Sequence, residues 1–209
     1  MALQTASGAV FANGEGDAWY WRNQTRLAAY SAAADPVYRQ LIRSITAAGM
    51  LQTPIVDLGC SSGERLSALE PLAGSGRIGI DASQAAIAAA KHRDPSADWR
   101  VGDVAKCEIP ACGALICSYV LHWIPRLSLS KLIDRITAAV RPGGLLVIND
   151  FYPDEAVDVP YHHLPDSGVM THKRRYPLMF DGAFQSVAVQ SYAYDGRGEM
   201  ARVEVMKRV

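Results

Sequence analysis

Three features of the sequence predict an α/β fold, a doubly wound and mostly parallel sheet with an antiparallel C-terminal strand. Apolar segments of four or five residues alternate with helix-like segments between residues 54 and 149. An acid stands at or just past the end of each of the first three, at Asp57, Asp81 and Asp103. Two β-rich stretches, 185–194 and 199–209, flank Asp195-Gly196-Arg197-Gly198 and read as a hairpin. Strands joined by helices of this length call for right-handed crossovers and parallel pairing. A chain of 209 residues suits one domain, and at that size about 70% of the surface of the unfolded chain can be buried without a disulfide or zinc.

The elements follow in order. Residues 1–50 predict two helices that form an extension or lid. The first runs through Trp19, Tyr20 and Trp21 to Tyr30, with Asp17 as its expected cap. The second starts at Asp35-Pro36, because Pro at the first helical position gives up an N–H that has no partner there anyway. Its stripe of Val37, Leu41, Ile42, Ile45 and Ala48 ends at Gly49. The core spans 54–151, with strands at 54–58, 77–80, 98–101, 114–118 and 145–149. Its longest helical stripe carries Leu129, Leu132, Ile133, Ile136 and Val140, and Pro142-Gly143-Gly144 is the expected stop. Residues 152–184 form a polar stretch with four prolines and three histidines, and a segment of that length in a compact domain predicts a functional loop. The hairpin at 185–209 closes the domain.

Composition excludes several classes. Lys+Arg and Asp+Glu are both 21, so no clustered positive charge marks a nucleic-acid binder. Hydrophobic residues at 49% place the chain far from disorder. No apolar run approaches the roughly 20 residues that span a bilayer, and the first residues lack a basic segment followed by an apolar core. A cytoplasmic protein with no membrane partner, monomeric or homodimeric, is expected. Cys60, Cys107, Cys112 and Cys117 lack metal-site spacing, so neither zinc nor disulfides are expected.

In open parallel sheets, ligands sit at the carboxyl ends of the strands, where the strand order reverses. Gly59 lets the turn after Asp57 tighten and a ligand approach the backbone, and Gly63 lets the next helix pack closely. Asp81 can accept from a ribose diol, and Asp103 can accept from an exocyclic amine. The acids stand 24 and 22 residues apart. The segment Gly59-Cys60-Ser61-Ser62-Gly63 does not meet the Gly-x-Gly-x-x-Gly fingerprint of nicotinamide dinucleotide sites.

The successive segments VDLGCSSGERL, IGIDAS, VGDVAK, ALICSYVLHWI and RPGGLLVIND resemble the motifs of the class I S-adenosylmethionine-dependent methyltransferases over about residues 54–151. The resemblance implies a Rossmann-like sheet and S-adenosylmethionine as cofactor. Carried over, Asp57, Gly59, Cys60 and Gly63 hold the methionine end. Asp81 with Ala82 holds the ribose, and Asp103 with Val104 holds the adenine edge. Ser118 borders the sulfonium, and Tyr20 with Trp19 helps close the site. Ser61 stands where the family commonly has glycine.

His122 lies near the expected methyl position, as a wall of the pocket or a base. Tyr161, His162 and His163, in the segment where the family builds specificity, are candidates for substrate contact or for the general base. Lys173, Arg174 and Arg175 form the basic run, which could pair with an acidic substrate. The leading substrate is a small molecule methylated on oxygen or nitrogen, with specialised metabolism as the analogy. Two readings stay open beside it, a cofactor-binding protein without methyl transfer and a methyltransferase of a peptide or protein.

Overall fold

In the computed structural model, residues 10–49, 54–74, 76–194 and 198–209 are described. A seven-stranded sheet carries the architecture, in the order β3-β2-β1-β4-β5-β9-β8. The central parallel strands are β1 Ile55–Leu58, β2 Arg77–Asp81, β3 Asp98–Val101 and β4 Cys112–Ser118. Next to them runs β5 Val140–Phe151, also parallel to β4. Strand β9 Met200–Arg208 then runs antiparallel to both β5 and β8 Phe184–Ala193, as the hairpin pattern predicts. The residues at its turn, 195–197, lie outside the described residues, as does the segment 1–9. The chain order reverses between β1 and β4, which opens a crevice at their carboxyl ends.

Side chains alternate across the central strands with the period of two that a pleated strand imposes. Val56, Leu58, Leu115, Cys117, Leu146 and Ile148 face one layer. That layer is built from Leu132 and Ile136 of helix α6 (Arg126–Ala139) and from the 3₁₀ turn Tyr176–Phe180. Ile55, Ala114, Ile116, Leu145 and Val147 face the other layer. There they meet Leu41 and Ile45 of α2 (Pro36–Ala48), Leu66 of α3 (Glu64–Ala68), and Ile87 of α5 (Gln84–Arg93). The short α4 (Glu70–Ala73) leads into β2. No helix among the described residues is long and apolar enough to cross a membrane.

Three local expectations differ from the structure. Asp17 does not cap its own helix. The chain enters α1 (Gly16–Ala28) through a π-helical turn at Phe11–Glu15, with Gly14 at φ +117°, so Asp17 already lies in the first turn. Its carboxylate instead caps α5 from outside, accepting from Ser83 Oγ at 2.6 Å and Ala85 N–H at 3.0 Å. Pro142-Gly143-Gly144, the expected stop, lies within β5, because α6 already ends at Ala139. The helix passes directly into β5, and the register jumps from Cys112 opposite Val140 to Ala114 opposite Leu145. The stretch 152–184 is not one loop, because it folds a second hairpin of β6 Val157–Pro160 and β7 Met170–Lys173. The α2 start and stop stand as read, with Asp35 accepting from Val37 N–H at 2.8 Å and Gly49 at φ +66°.

Gly63 shows what the turn after β1 demands. It sits at φ +77°, and a Cβ there would lie 2.4 Å from Cη2 of Trp99. Gly63→Ala therefore combines left-handed backbone strain with overpacking and should lower stability by about 2–4 kcal/mol. Urea denaturation checks this; an unchanged midpoint would show that Trp99 moves aside freely.

Candidate functional site

The crevice at the carboxyl ends of β1 and β4 is a cleft of about 1340 Å³. Pockets for one drug-sized ligand run from about 300 to 1,000 Å³, so this volume suits two occupants side by side. Its inner half is lined by Gly59, Cys60, Ser61, Asp81, Ala82, Asp103, Val104 and Ser118. Phe11, Tyr119, His122, Trp123, Phe151, Tyr161, His162 and His163 line the outer half, with Lys173 and Tyr194.

The inner half is made of strand ends and the turns that follow them. Gly59 adopts φ +75°, and a Cβ there would meet Cγ2 of Val120 at 2.2 Å, so no side chain fits. Ser61 also takes left-handed backbone, φ +51°, which explains why glycine suits this position. Its N–H donates to Asp81 Oδ2 at 2.8 Å, and Ser83 N–H donates to Asp81 Oδ1 at 2.9 Å. These two bonds fix the carboxylate and leave it lone pairs for a ligand. Burial nevertheless raises the Asp81 carboxyl above the usual range. Asp103 is held by Ala105 N–H at 2.9 Å, while its Oδ2 accepts no hydrogen bond and lies 3.4 Å from Lys106 Nζ.

Asp57, 1% exposed, has Oδ1 without a partner and Oδ2 3.8 Å from Arg65 Nη1. Burial pushes its carboxyl up to about 7; Arg65 opposes that, and Asp35 and Asp81 add to it. Ser61 Oγ is likewise buried without a partner. Buried polar atoms seldom lack partners, and two of them together beside a ligand crevice indicate donors that arrive with a ligand. A group with a ribose diol, an adenine edge and an ammonium would supply them.

The outer half is built around a buried histidine. His122 lies in the 3₁₀ turn Leu121–Trp123, and its Nδ1 is 2.8 Å from Asp150 Oδ1 at the end of β5. The N–H of Phe151 also donates to that oxygen at 2.8 Å, and the His122 N–H reaches Oδ2 at 3.4 Å. With Nδ1–H on the carboxylate, Nε2 is the ring's proton acceptor. Ser118 is locked beside it, since its Oγ accepts from Asn149 at 3.0 Å, Asn149 accepts from Tyr192 OH at 2.7 Å, and Tyr192 meets Tyr119 OH at 2.9 Å. Tyr119 itself sits at φ +55°, a strained conformation for an aromatic residue right after the strand.

The N-terminal segment roofs the cleft. Glu15 is ion-paired with Arg22, and Tyr161 OH donates to Glu15 at 2.7 Å while accepting from Arg22 at 2.8 Å. This ties the start of α1 to the segment after β6. Burial, and then Glu15, push the Tyr161 phenol well above the ordinary tyrosine range. It is therefore a hydrogen-bonding strut and a poor base. His162 and His163 are exposed at the rim with their rings 3.9 Å apart. Burial, Arg22 and His162 hold His163 below the usual histidine range.

Of the residues read from sequence, Gly59, Cys60, Asp81, Ala82, Asp103, Val104, Ser118, His122, Tyr161, His162 and His163 come together in one cleft. Asp57 and Gly63 support it from behind and do not line it. Tyr20 is buried against Trp21, whereas Trp19, one residue earlier, faces the cleft. The basic run is committed elsewhere, with Lys173 paired to Glu199, Arg174 to Asp158 and Arg175 to Asp154. Sequence reasoning missed Glu15, Arg22 and the outer rings of Phe11, Tyr119, Trp123, Phe151 and Tyr194. Asp150, one residue beyond the read strand, was the one visible signal for the dyad. No cluster of three metal-capable side chains occurs among the described residues.

Comparison with known proteins gives a consistent result. Residues 55–144 match the model of a methyltransferase domain. The chain is 33% identical over 113 residues to the trans-aconitate 2-methyltransferase of Variovorax paradoxus, covering 53% of this chain and 42% of that protein. It is 28% identical over 103 residues to the carboxy-S-adenosyl-L-methionine synthase of Wolinella succinogenes, covering 46% and 43%. The matches thus span less than half the length of these curated relatives. In fold, the chain resembles the Burkholderia thailandensis 1,6-didemethyltoxoflavin-N1-methyltransferase, solved with 1,6-didemethyltoxoflavin and S-adenosylhomocysteine. That likeness has a TM-score of 0.74 at 14% identity, over 96% of this chain and 88% of that one.

Proposed function

We propose that the chain, whose residues 55–144 match the model of a methyltransferase domain, is a class I S-adenosylmethionine-dependent methyltransferase that moves a methyl group from S-adenosylmethionine to an oxygen or nitrogen of a small metabolite. The observation that carries this reading is the pairing, in one cleft, of an inner half with unsatisfied buried acceptors and an outer half with a His–Asp dyad. When bound, the cofactor supplies an electrophilic methyl on a sulfonium. The Gly59–Ser61 turn, with Asp57 buried behind it, would hold its methionine end, Asp81 its ribose, and Asp103 with Val104 its adenine. Ser118 and its Asn149–Tyr192 chain keep the end of β4 rigid beside the acceptor, and alignment of this kind can contribute about 7–11 kcal/mol. His122 Nε2 takes the acceptor's proton. Asp150 is a positioning residue that fixes the imidazole tautomer. The roof formed by Glu15, Arg22 and Tyr161 excludes water and suits a compact acceptor better than a protein chain.

Calorimetric titration of the full chain with S-adenosylhomocysteine tests the cofactor half. Micromolar binding is expected, weakened about 10- to 100-fold in Asp81→Ala, the range for one lost hydrogen bond to a charged group. No binding by the wild type would sink the reading. A second reading, cofactor bound without methyl transfer, draws on the likeness to carboxy-S-adenosyl-L-methionine synthase. Appearance of labelled methyl in an added acceptor excludes it; cofactor binding with no labelled product from any acceptor favours it.

A further inference from the structure

From the outer half of the cleft, we infer that the acceptor is the hydroxyl or ring N–H of a neutral, planar aromatic molecule. This rests on the transfer reading above and narrows it.

The outer wall is a connected series of rings. Phe11 meets Trp123 at 4.9 Å between centroids, Trp123 meets Tyr161 at 4.7 Å, and His122 meets Trp123 at 4.6 Å. His122 then meets Phe151 at 5.0 Å, Phe151 meets Tyr194 at 4.8 Å, and Tyr194 meets Tyr119 at 5.1 Å. All of them line the cleft. Such a wall offers flat apolar faces and edges, which a planar ring matches by offset or edge-to-face packing worth about 0.5–1.5 kcal/mol per pair beyond area burial.

The charges of this wall are spent on one another. Glu15 holds Arg22 and Tyr161, Asp150 holds His122, and Glu199 holds Lys173. The Lys173 ammonium also lies 4.4 Å over the Phe151 ring. A polycarboxylate would need uncommitted Arg or Lys; of the three such cations among the described residues lining the cleft, Lys173 is paired to Glu199 and Arg65 to Asp35, while Arg26 bonds Asn23 and lies over the Trp19 ring, which is not part of this wall. An organic cation would need a free carboxylate to offset the loss of its hydration on entering the cleft. Each carboxylate of this wall already has a partner. What remains for recognition is stacking and one proton acceptor.

The acceptor atom follows from that base. An aliphatic amine need only lose its proton before it enters, whereas a phenolic or ring N–H nucleophile arrives protonated and gains from a base in the site. The acceptor's oxygen or nitrogen bonds to the methyl carbon as the carbon–sulfur bond breaks with its electron pair left on sulfur, and the acceptor's proton passes to His122 Nε2.

The test is binding, read by calorimetry on the full chain. S-adenosylhomocysteine is titrated first, and the loaded protein is then titrated with 2-naphthol, lumazine, trans-aconitate and putrescine. The expected result is that an aromatic binds at least about tenfold more tightly than trans-aconitate or putrescine, a gap of about 1.4 kcal/mol. Phe151→Leu should weaken the aromatic at least about fivefold and leave S-adenosylhomocysteine affinity unchanged, which also shows that the variant is folded. Uptake of S-adenosylhomocysteine with trans-aconitate or putrescine preferred, or with neither aromatic bound, overturns the aromatic assignment and leaves the transfer reading standing. No uptake of S-adenosylhomocysteine overturns both.

Discussion

His122→Gln is expected to lower methyl transfer to an aromatic acceptor by about 10²–10⁴-fold in kcat, the usual worth of a positioned general base. The ground for this is geometric. The imidazole is 4% exposed, its Nδ1 lies 2.8 Å from Asp150, and its ring packs between Trp123 and Phe151, so it has one orientation and one free nitrogen. Glutamine keeps much of the volume and a polar end but cannot take a proton. S-adenosylhomocysteine affinity should stay within about twofold, because His122 lies on the acceptor side of the cleft. The acidity of the acceptor separates catalysis from packing. The loss in His122→Gln should be large for a weakly acidic acceptor and shrink for one that enters already ionised, because that acceptor needs no base. Asp150→Asn should follow in the same direction by releasing the tautomer. An equal loss for both acceptors would mean that the histidine only packs.

What the sequence made legible and what it hid divide along a physical line. Asp57, Asp81 and Asp103 were readable because each belongs to a short segment whose neighbours dictate a strand, a tight turn and a helix start. Gly59 and Ser61 are local in the same sense, since a left-handed backbone is a property of the residue and its turn. The outer wall is assembled from Phe11, Tyr119, His122, Trp123, Phe151, Tyr161 and Tyr194, which come together only where the N-terminal segment meets the ends of β4, β5, β6 and β8. No spacing announces such a set. Asp17 shows the same limit, because a good cap residue at a helix start serves a different helix 66 residues away. The basic run at 173–175 misled in the opposite way, its charge being visible in sequence but the three carboxylates that neutralise it not.

Asp57→Asn should stabilise the cofactor-free protein at pH 8 by about 2–4 kcal/mol relative to its effect at pH 5, while weakening cofactor binding. The carboxyl has a folded value of about 7, raised chiefly by burial, against about 3.9 in an unfolded chain. A group raised on folding contributes stability that is complete below its unfolded value and is lost as pH climbs through its folded value. For Asp57 the loss falls between about pH 4 and pH 7, and above that the fold carries a buried carboxylate with Oδ1 unsatisfied. Asparagine carries no charge at any pH, so its effect on packing is a constant offset that cancels in the comparison between the two pH values. Asp94 acts in the opposite direction. Although burial opposes it, hydrogen bonds from Arg77 and Ser96 hold Asp94 down to about 2, and its contribution is the same in both proteins. Urea denaturation at pH 5 and pH 8 measures the difference, and equal shifts at both would show that Asp57 is not charged at a cost in the empty cleft. The residue that weakens the empty protein is thus the one with most to gain from a donor at the methionine end. Binding of S-adenosylhomocysteine should therefore stabilise the wild type more than the Asn variant at pH 8, and should release protons near pH 7 as Asp57 ionises against its new partner.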